Sequence, residues 1–322
     1  MKIHYRVSEG GVEIVRCFGS DSHVVIPEKI EGKPVVKAAP YAFSARKDRE
    51  EIDIQIYHTD QIGQRMEKER LLAGEAVEEV IFPNTMQEIG RYIFYGCRNL
   101  RKLKFSDSLT QIGSGAFTVC GSLKELVVHL QQGHKSCVKE ILGELWQRMD
   151  VRFLYEIDGE AVQRADLVFP GHYEEAVENT PARILYTQHH GSGNNYRQCF
   201  LAKELDYRKY DELFSIAAVM EKQNVLLDLC FGRLLFPVEL AKQAETEYKE
   251  YIRLHLEEAA SYLIENEQTE RLQFLSEGKL WTPEGLEAAI QCASDQKKPE
   301  ILSLLMNEQH QRMPRKKKRF VL

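Results

Sequence analysis

The segment from Thr187 to Cys199, TQHHGSGNNYRQC, concentrates side chains capable of chemistry: His189, His190, Asn194, Asn195, Tyr196, Arg197 and Cys199 stand around Gly191-Ser192-Gly193. Three chemistries compete for it. Adjacent histidines cannot easily turn both rings onto one ion, and no other His/Cys pair has zinc-site spacing, so a metal centre is disfavoured. Cys199 beside His189 or His190 has the makings of a thiolate nucleophile, but no nucleophile signature surrounds it. Gly-Ser-Gly-Asn-Asn has the composition of a backbone nest for an anion, without the strand-to-helix context that such nests use. The plainer expectation is an ordered connector whose polar side chains bond to backbone. His189, His190, Asn194, Arg197 and Cys199 are the residues a loop site would use.

A second chemical feature closes the chain. Arg312, Arg315, Lys316, Lys317, Lys318 and Arg319 follow one another without an acidic residue, up to Leu322. The chain has 43 basic and 49 acidic residues; removing these six leaves 37 against 49, so the body carries −12 and the tail +6. Nucleic acid, if bound at all, is expected only through this tail, and a solvated end is the simpler expectation. PRKKKR has the composition of a nuclear localisation signal, and Phe320-Val321-Leu322 ends the tail on apolar residues.

No Walker-type loop and no Ser/His/Asp signature is present, and no cofactor is expected. The seven cysteines lack a Cys-x-x-Cys pair, which favours buried, reduced packing residues over ligands or disulfides. There is no apolar run of signal-peptide or membrane-spanning length, so a soluble cytoplasmic protein without a membrane span is expected.

The elements that must position these residues are announced by a repeat. Ile89, Gly90, Phe94, Cys97, Leu100 and Leu103 recur 23 positions later as Ile112, Gly113, Phe117, Cys120, Leu123 and Leu126. Val80-Ile81-Phe82, Leu103-Lys104-Phe105 and Leu126-Val127-Val128 read as short strands with first and third residues turned inward. Such a unit is too small to bury its own apolar face and must stack on a neighbour, which makes a solenoid. The Ile-Gly pairs suggest an anchor followed by a turn that tolerates positive φ.

The strings VIFPNTMQEIGRYIFYGCRNLRKLKF and SDSLTQIGSGAFTVCGSLKELVV resemble BspA-type leucine-rich repeats. VVIPEKIEGKPVVKAAPYAFS, from Val24 to Ser44, resembles a first unit, with Ala38-Ala39 where Ile-Gly is expected. One regular unit is replaced by a charged insertion from Ala45 to Ala76; Ile52–Ile56 alternates like a strand, and Asp60–Leu72 reads as a polar helix or loop. The resemblance implies a leucine-rich-repeat solenoid that binds proteins or ligands, many such proteins being bacterial and cell-surface, and it implies no defined reaction.

Residues 1–19 fit a capping hairpin, with Ile3, Tyr5 and Val7 answered by Val12, Ile14 and Cys17. After His129 the period lengthens to about 3.6. Val138, Ile141, Leu142, Leu145 and Met149 form one helical face, and Tyr251, His255, Leu256, Ala259 and Leu263 another. Leu167–Pro170 reads as a last strand, with a short helix through Tyr173 and Ala176. Thr282 with Pro283 opens a helix, as does Pro299. Residues 259–275 and 289–305 align at an offset of 30, loosely similar to ankyrin helix pairs.

The expected fold class is therefore α+β in two domains: a leucine-rich-repeat solenoid with its cap over residues 1–130, a connecting segment over 131–201, a helical-hairpin domain over 202–311 and the basic tail over 312–322. The expected function is a non-enzymatic scaffold that binds another protein or peptide. Its expected surface is the concave face of the repeat sheet, where Glu79, Ile81, Lys102, Lys104, Glu125, Val127 and His129 alternate in sign. The competing functions are an enzyme or anion binder at 187–199 and a nucleic-acid-associated protein acting through its tail.

Overall fold

Each repeat strand offers two inward apolar residues at the same height, so strands align side by side and pointing one way. The computed structural model describes residues 1–8, 10–46, 52–59, 70–157, 159–179 and 183–312. Within it the chain falls into two compact units, Met1–Glu221 and Lys222–Leu322. Most of the expected helix or loop at 60–72, and the tail beyond Arg312, lie outside the described residues.

The first unit begins with β1 (Lys2–Ser8), β2 (Gly11–Gly19), β3 (His23–Val25), β4 (Lys29–Ile30), β5 (Lys33–Ala38), β6 (Gln55–His58) and β7 (Arg70–Leu71). It continues through β8 (Glu79–Ile81), β9 (Glu88–Ile89), β10 (Lys102–Ser106), β11 (Gln111–Ile112) and β12 (Glu125–Leu130). One six-stranded sheet has the order β14-β13-β12-β10-β8-β3, where β13 is Met149–Ile157 and β14 is Glu160–Phe169. The strands from β3 to β13 are all parallel, in the register Val80-Leu103-Leu126-Val151. An eight-stranded sheet, β11-β9-β5-β2-β1-β6 with β4 on β5 and β7 on β2, forms the other wall. The capping hairpin is β1–β2, and its Ile3, Tyr5, Val12, Ile14 and Cys17 are buried.

Between the walls the repeat positions stack as columns. Phe43, Phe94 and Phe117 follow one another at 5.3 and 5.5 Å between ring centroids. Cys97 Sγ donates to Phe43 O and Cys120 Sγ to Phe94 O, both at 3.2 Å, so each thiol ties its coil to the one before. Burial pushes the Cys97 thiol up to about 12. The Ile-Gly turns depart from expectation. Gly90 and Gly113 do not have positive φ; their missing Cβ is what matters. A Cβ on Gly113 would lie 2.1 Å from Arg91 N, and one on Gly90 would lie 2.3 Å from Pro40 N. The coils touch through backbone there. The left-handed position falls two residues later, at Tyr41, Tyr92 and Gly115 (φ 59°, 53° and 65°).

The solenoid ends on a substitution of acceptors. Tyr92 N and Phe94 N donate to Ser114 O and Ala116 O of the following coil. The equivalent donors of the last coil, Gly115 N and Phe117 N, go to the two oxygens of Glu144 at 3.1 and 2.9 Å. Glu144 closes α1 (Val138–Glu144), and Gln147 Nε2 donates to Cys120 O and Leu123 O beside it.

Two local expectations are corrected here, and a third, the strand at Leu167–Pro170, is lengthened. The helix expected through Met149 stops at Glu144, because Met149, Val151 and Phe153 alternate inward as a further parallel strand. The strand expected at Leu167–Pro170 is the end of the ten-residue β14. The short helix expected over Tyr173 and Ala176 is β15 (Tyr173–Asn179), paired with β16 (Ile184–His190). α2 (Gly193–Arg197), β17 (Phe200–Leu201), β18 (Glu204–Leu205), α3 (Tyr207–Glu212) and α4 (Phe214–Met220) complete this unit.

The second unit is helical: α5 (Gln223–Leu235), α6 (Lys242–Leu254), α7 (Leu256–Glu265), α8 (Thr269–Glu277), α9 (Pro283–Asp295) and α10 (Pro299–Arg312). The helix expected to run through 251–263 breaks at His255. Thr282 caps α9 as expected, its hydroxyl accepting from Gly285 N at 3.0 Å, with Pro283 in the first turn. The offset of 30 is geometric. Glu267 and Lys297 both take positive φ (54° and 56°), Gln268 N donates to Leu263 O and Lys298 N donates to Ala293 O. Glycine-free helix ends of this kind satisfy terminal carbonyls at some backbone strain.

Candidate functional site

Alternation along the strands leaves one side of the six-stranded sheet facing out. Register sets two long rows across it: His23, Glu79, Lys102, Glu125 and Asp150, then Val25, Ile81, Lys104, Val127, Arg152 and Asp166. A shorter row holds Ser106, His129, Leu154 and Arg164. The charges pair along and across the strands. His23 Nε2 lies 3.8 Å from Glu79, Lys102 Nζ 3.1 Å from Glu125, and Arg148 Nε 2.9 Å from Asp150. Arg152 Nε and Arg164 Nε both reach Asp166 Oδ1, at 3.0 and 2.8 Å. Burial alone would raise the Asp166 carboxyl; hydrogen bonds from Arg164 and Arg152 outweigh it and hold the group below the usual carboxylate range.

At the carboxyl end of the strands, His129 Nδ1 is bonded to Glu156, whose other oxygen accepts from Gln131 Nε2 at 2.8 Å. Burial raises Glu156, and the bonds from His129 and Gln131 bring it below its ordinary value. Val25 is 55% exposed and Ile81 half-buried, so the face is apolar and charged in one strip. Val127 corrects an expectation: it lies on the outward row, yet it is buried between the longer side chains of Lys104 and Arg152. The charged residues of β13 and β14 were not legible as part of this face. Their alternation, Asp150/Arg152/Leu154 between Met149/Val151/Phe153, is the signal that would have found them.

The 187–199 segment is divided among three environments. His189 and His190 belong to β16 and face Glu174 and Glu175 across the hairpin, at 3.4 and 3.2 Å. Gly191, at φ 79°, and Gly193 are required by close approach: a Cβ on either would fall within 2.4 Å of Gly171 O or Pro170 O. At the centre of the expected anion nest Ser192 is occupied from within, its N and Oγ both donating to Glu221 Oε1, at 2.6 and 2.7 Å. Asn194 is half-buried on α2.

Arg197 is buried and reaches only carbonyls: Leu142 O and Leu145 O through Nε, Pro170 O and Gly193 O through Nη1, and Gln147 O through Nη2. Burial lowers its guanidinium to about 10. Cys199 is buried, with its thiol pushed up to about 12 chiefly by burial, and its sulfur lies 3.8 Å from Asn195 O. A thiol held so is a poor nucleophile at neutral pH. Among the described residues no group of three His, Cys, Asp or Glu side chains is placed to hold a metal ion.

Comparison with known proteins bears on the solenoid. Residues 68–140 match the family described as BspA type leucine rich repeat region, in six copies. A leucine-rich cell surface protein from Faecalibacterium prausnitzii is 18% identical, with a TM-score of 0.27 over 40% of this chain and 31% of its own. The T. pallidum leucine-rich repeat protein is 21% identical, with a TM-score of 0.20 over 41% of this chain and 74% of its own. This chain thus spans about a third of the length of the first of these. No curated protein gives a significant match. The family match ends at residue 140, so the ankyrin-like reading of the C-terminal helices finds no support in it. Among the described residues no helix is long and apolar enough to cross a membrane.

Proposed function

We propose that the chain is a non-enzymatic interaction module whose six-stranded sheet binds another protein or peptide of mixed polarity. The observation that carries this is the outward face itself: acidic and basic side chains alternate along His23-Glu79-Lys102-Glu125 beside the apolar Val25 and Ile81. A surface that neutralises its own charges has little long-range attraction for a polyanion. It offers instead short-range pairs and apolar contact, which suit a peptide or protein surface. The leucine-rich-repeat match supports the same class of function. Residues Glu79, Ile81, Lys102, Lys104, Glu125 and His129 are the proposed contacts. A cytoplasmic setting is part of the proposal, supported by seven unbridged cysteines, six of them buried.

Exchanging the two charges of one pair tests the proposal. Lys102→Glu combined with Glu125→Lys keeps the ion pair, and with it the fold, but inverts what a partner meets. Partners captured from native lysate by the wild-type chain are expected to be lost by this variant at unchanged thermal stability. Tight binding of heparin or duplex DNA by a chain lacking residues 313–322 would contradict the proposal.

A further inference from the structure

We infer that the β15–β16 hairpin is a self-association arm, which pairs the free edge of β16 with the same strand of a second copy. The two strands form a sheet of their own; among the described residues no third strand joins either edge. An isolated two-stranded ribbon is marginal in water. This one is nonetheless firmly rooted. Gly191 packs against Gly171, His172 N donates to Trp146 O at 2.9 Å, and Arg197 anchors the helix that follows. Beyond that root the ribbon is solvated on both faces: Tyr173, Glu174, Glu175, Ala176 and Glu178 on one strand, and Leu185 to His189 on the other, are exposed. Leu185 is 72% exposed.

The two edges are not equivalent. Exposed edges are normally protected by charge, proline or a bulge. β15 carries Glu174, Glu175 and Glu178; two copies pairing there antiparallel about Ala176 would set Glu174 opposite Glu178 twice, which is repulsive. β16, Ile184-Leu185-Tyr186-Thr187-Gln188-His189-His190, has no acid, lysine, arginine or proline, and its residues favour strand. Antiparallel pairing about Thr187 sets Thr187 against Thr187, Tyr186 against Gln188 and Leu185 against His189 of the second copy. No like-charged pair arises. Each histidine keeps its carboxylate, Glu174 or Glu175, on its own hairpin. The edge is thus self-complementary, and a four-stranded sheet across a two-fold axis covers it.

The test is sedimentation of the full chain with a charge placed on the axis, since Thr187 is exposed and faces Ala176 within its own hairpin. The wild type is expected to shift from monomer to dimer mass as concentration rises. Thr187→Lys and Thr187→Glu should each remain monomeric, because each sets like charges face to face. An equimolar mixture of the two should dimerise, about tenfold more tightly than either alone. A wild type that stays monomeric throughout would overturn the inference, as would a dimer indifferent to both variants. Unchanged melting temperatures of the two variants exclude misfolding as the cause of their monomeric state.

Discussion

The repeat between Glu79 and Val128 and the segment between Gly171 and Cys199 lie in the same compact unit, yet they are built on opposite principles. In the repeat, each side chain meets its own kind one coil away: Phe94 lies between Phe43 and Phe117, and the thiols of Cys97 and Cys120 make the same bond at successive levels. In the segment, each residue has a unique environment assembled from distant chain. Arg197 gathers carbonyls from Leu142 to Gly193, and Ser192 answers Glu221. Translational order spreads stability over many similar contacts, whereas the segment concentrates it in a few.

That difference predicts where damage is greatest. Arg197→Met should have the largest effect, because it removes five hydrogen bonds to carbonyls at once. A loss of about 3–5 kcal/mol in urea unfolding is expected, and a loss under about 1 kcal/mol would show that the carbonyls find other partners. Gly113→Ala comes next. Its Cβ would meet the backbone at Arg91 N, and backbone cannot turn aside as a side chain can. We expect a cost of about 3 kcal/mol, measured the same way. The turn-conformation explanation would instead allow alanine at little cost, since φ there is not positive.

A smaller effect is expected at the junction of the two principles. Glu144→Ala removes both acceptors from the last coil and should cost about 2 kcal/mol, with faster amide exchange at Gly115 and Phe117 specifically. Glu144→Gln keeps one acceptor oxygen and should fall between. The smallest effect has the opposite sign. Val119 holds a β-branched side chain at φ 63°, where the equivalent position one coil earlier is Gly96 at φ 79°. Val119→Gly should raise stability by about 0.5–1 kcal/mol, visible as a higher melting temperature.

How much the sequence discloses follows the same division. The strands, the aromatic and thiol columns, the capping hairpin and the Thr282 helix start could be read from residue types, since each rule acts within one coil or one helical turn. The identity of the Ile-Gly glycine could be read, but not its reason, which is contact with the preceding coil, at Arg91 for Gly113 and at Pro40 for Gly90. The GSG run reads as a connector with an anion nest as one alternative, and the cause of its glycines is not legible, because Gly171 and Pro170, which pass within a Cβ radius, lie some twenty residues away. Likewise, Met149 satisfies a helical period with Val138, Ile141, Leu142 and Leu145, although the helix ends at Glu144 and Met149 opens β13. On the candidate face, the residues of β8, β10 and β12 were legible and those of β13 and β14 were not. Burial of Val127 depends on the lengths of its neighbours across the sheet, which no single strand records.

The central claim is that recognition takes place on the outward face of the sheet, and lysine reactivity reads it most directly. Lys102 and Lys104 are both on that face and partly exposed, whereas Lys249 lies on α6 in the other compact unit. Acylation of the full chain, alone and with the partner recovered by the wild type, should show Lys102 and Lys104 losing reactivity on binding while Lys249 is unchanged. Retained reactivity at Lys102 and Lys104, with protection appearing elsewhere on the chain, would contradict the account.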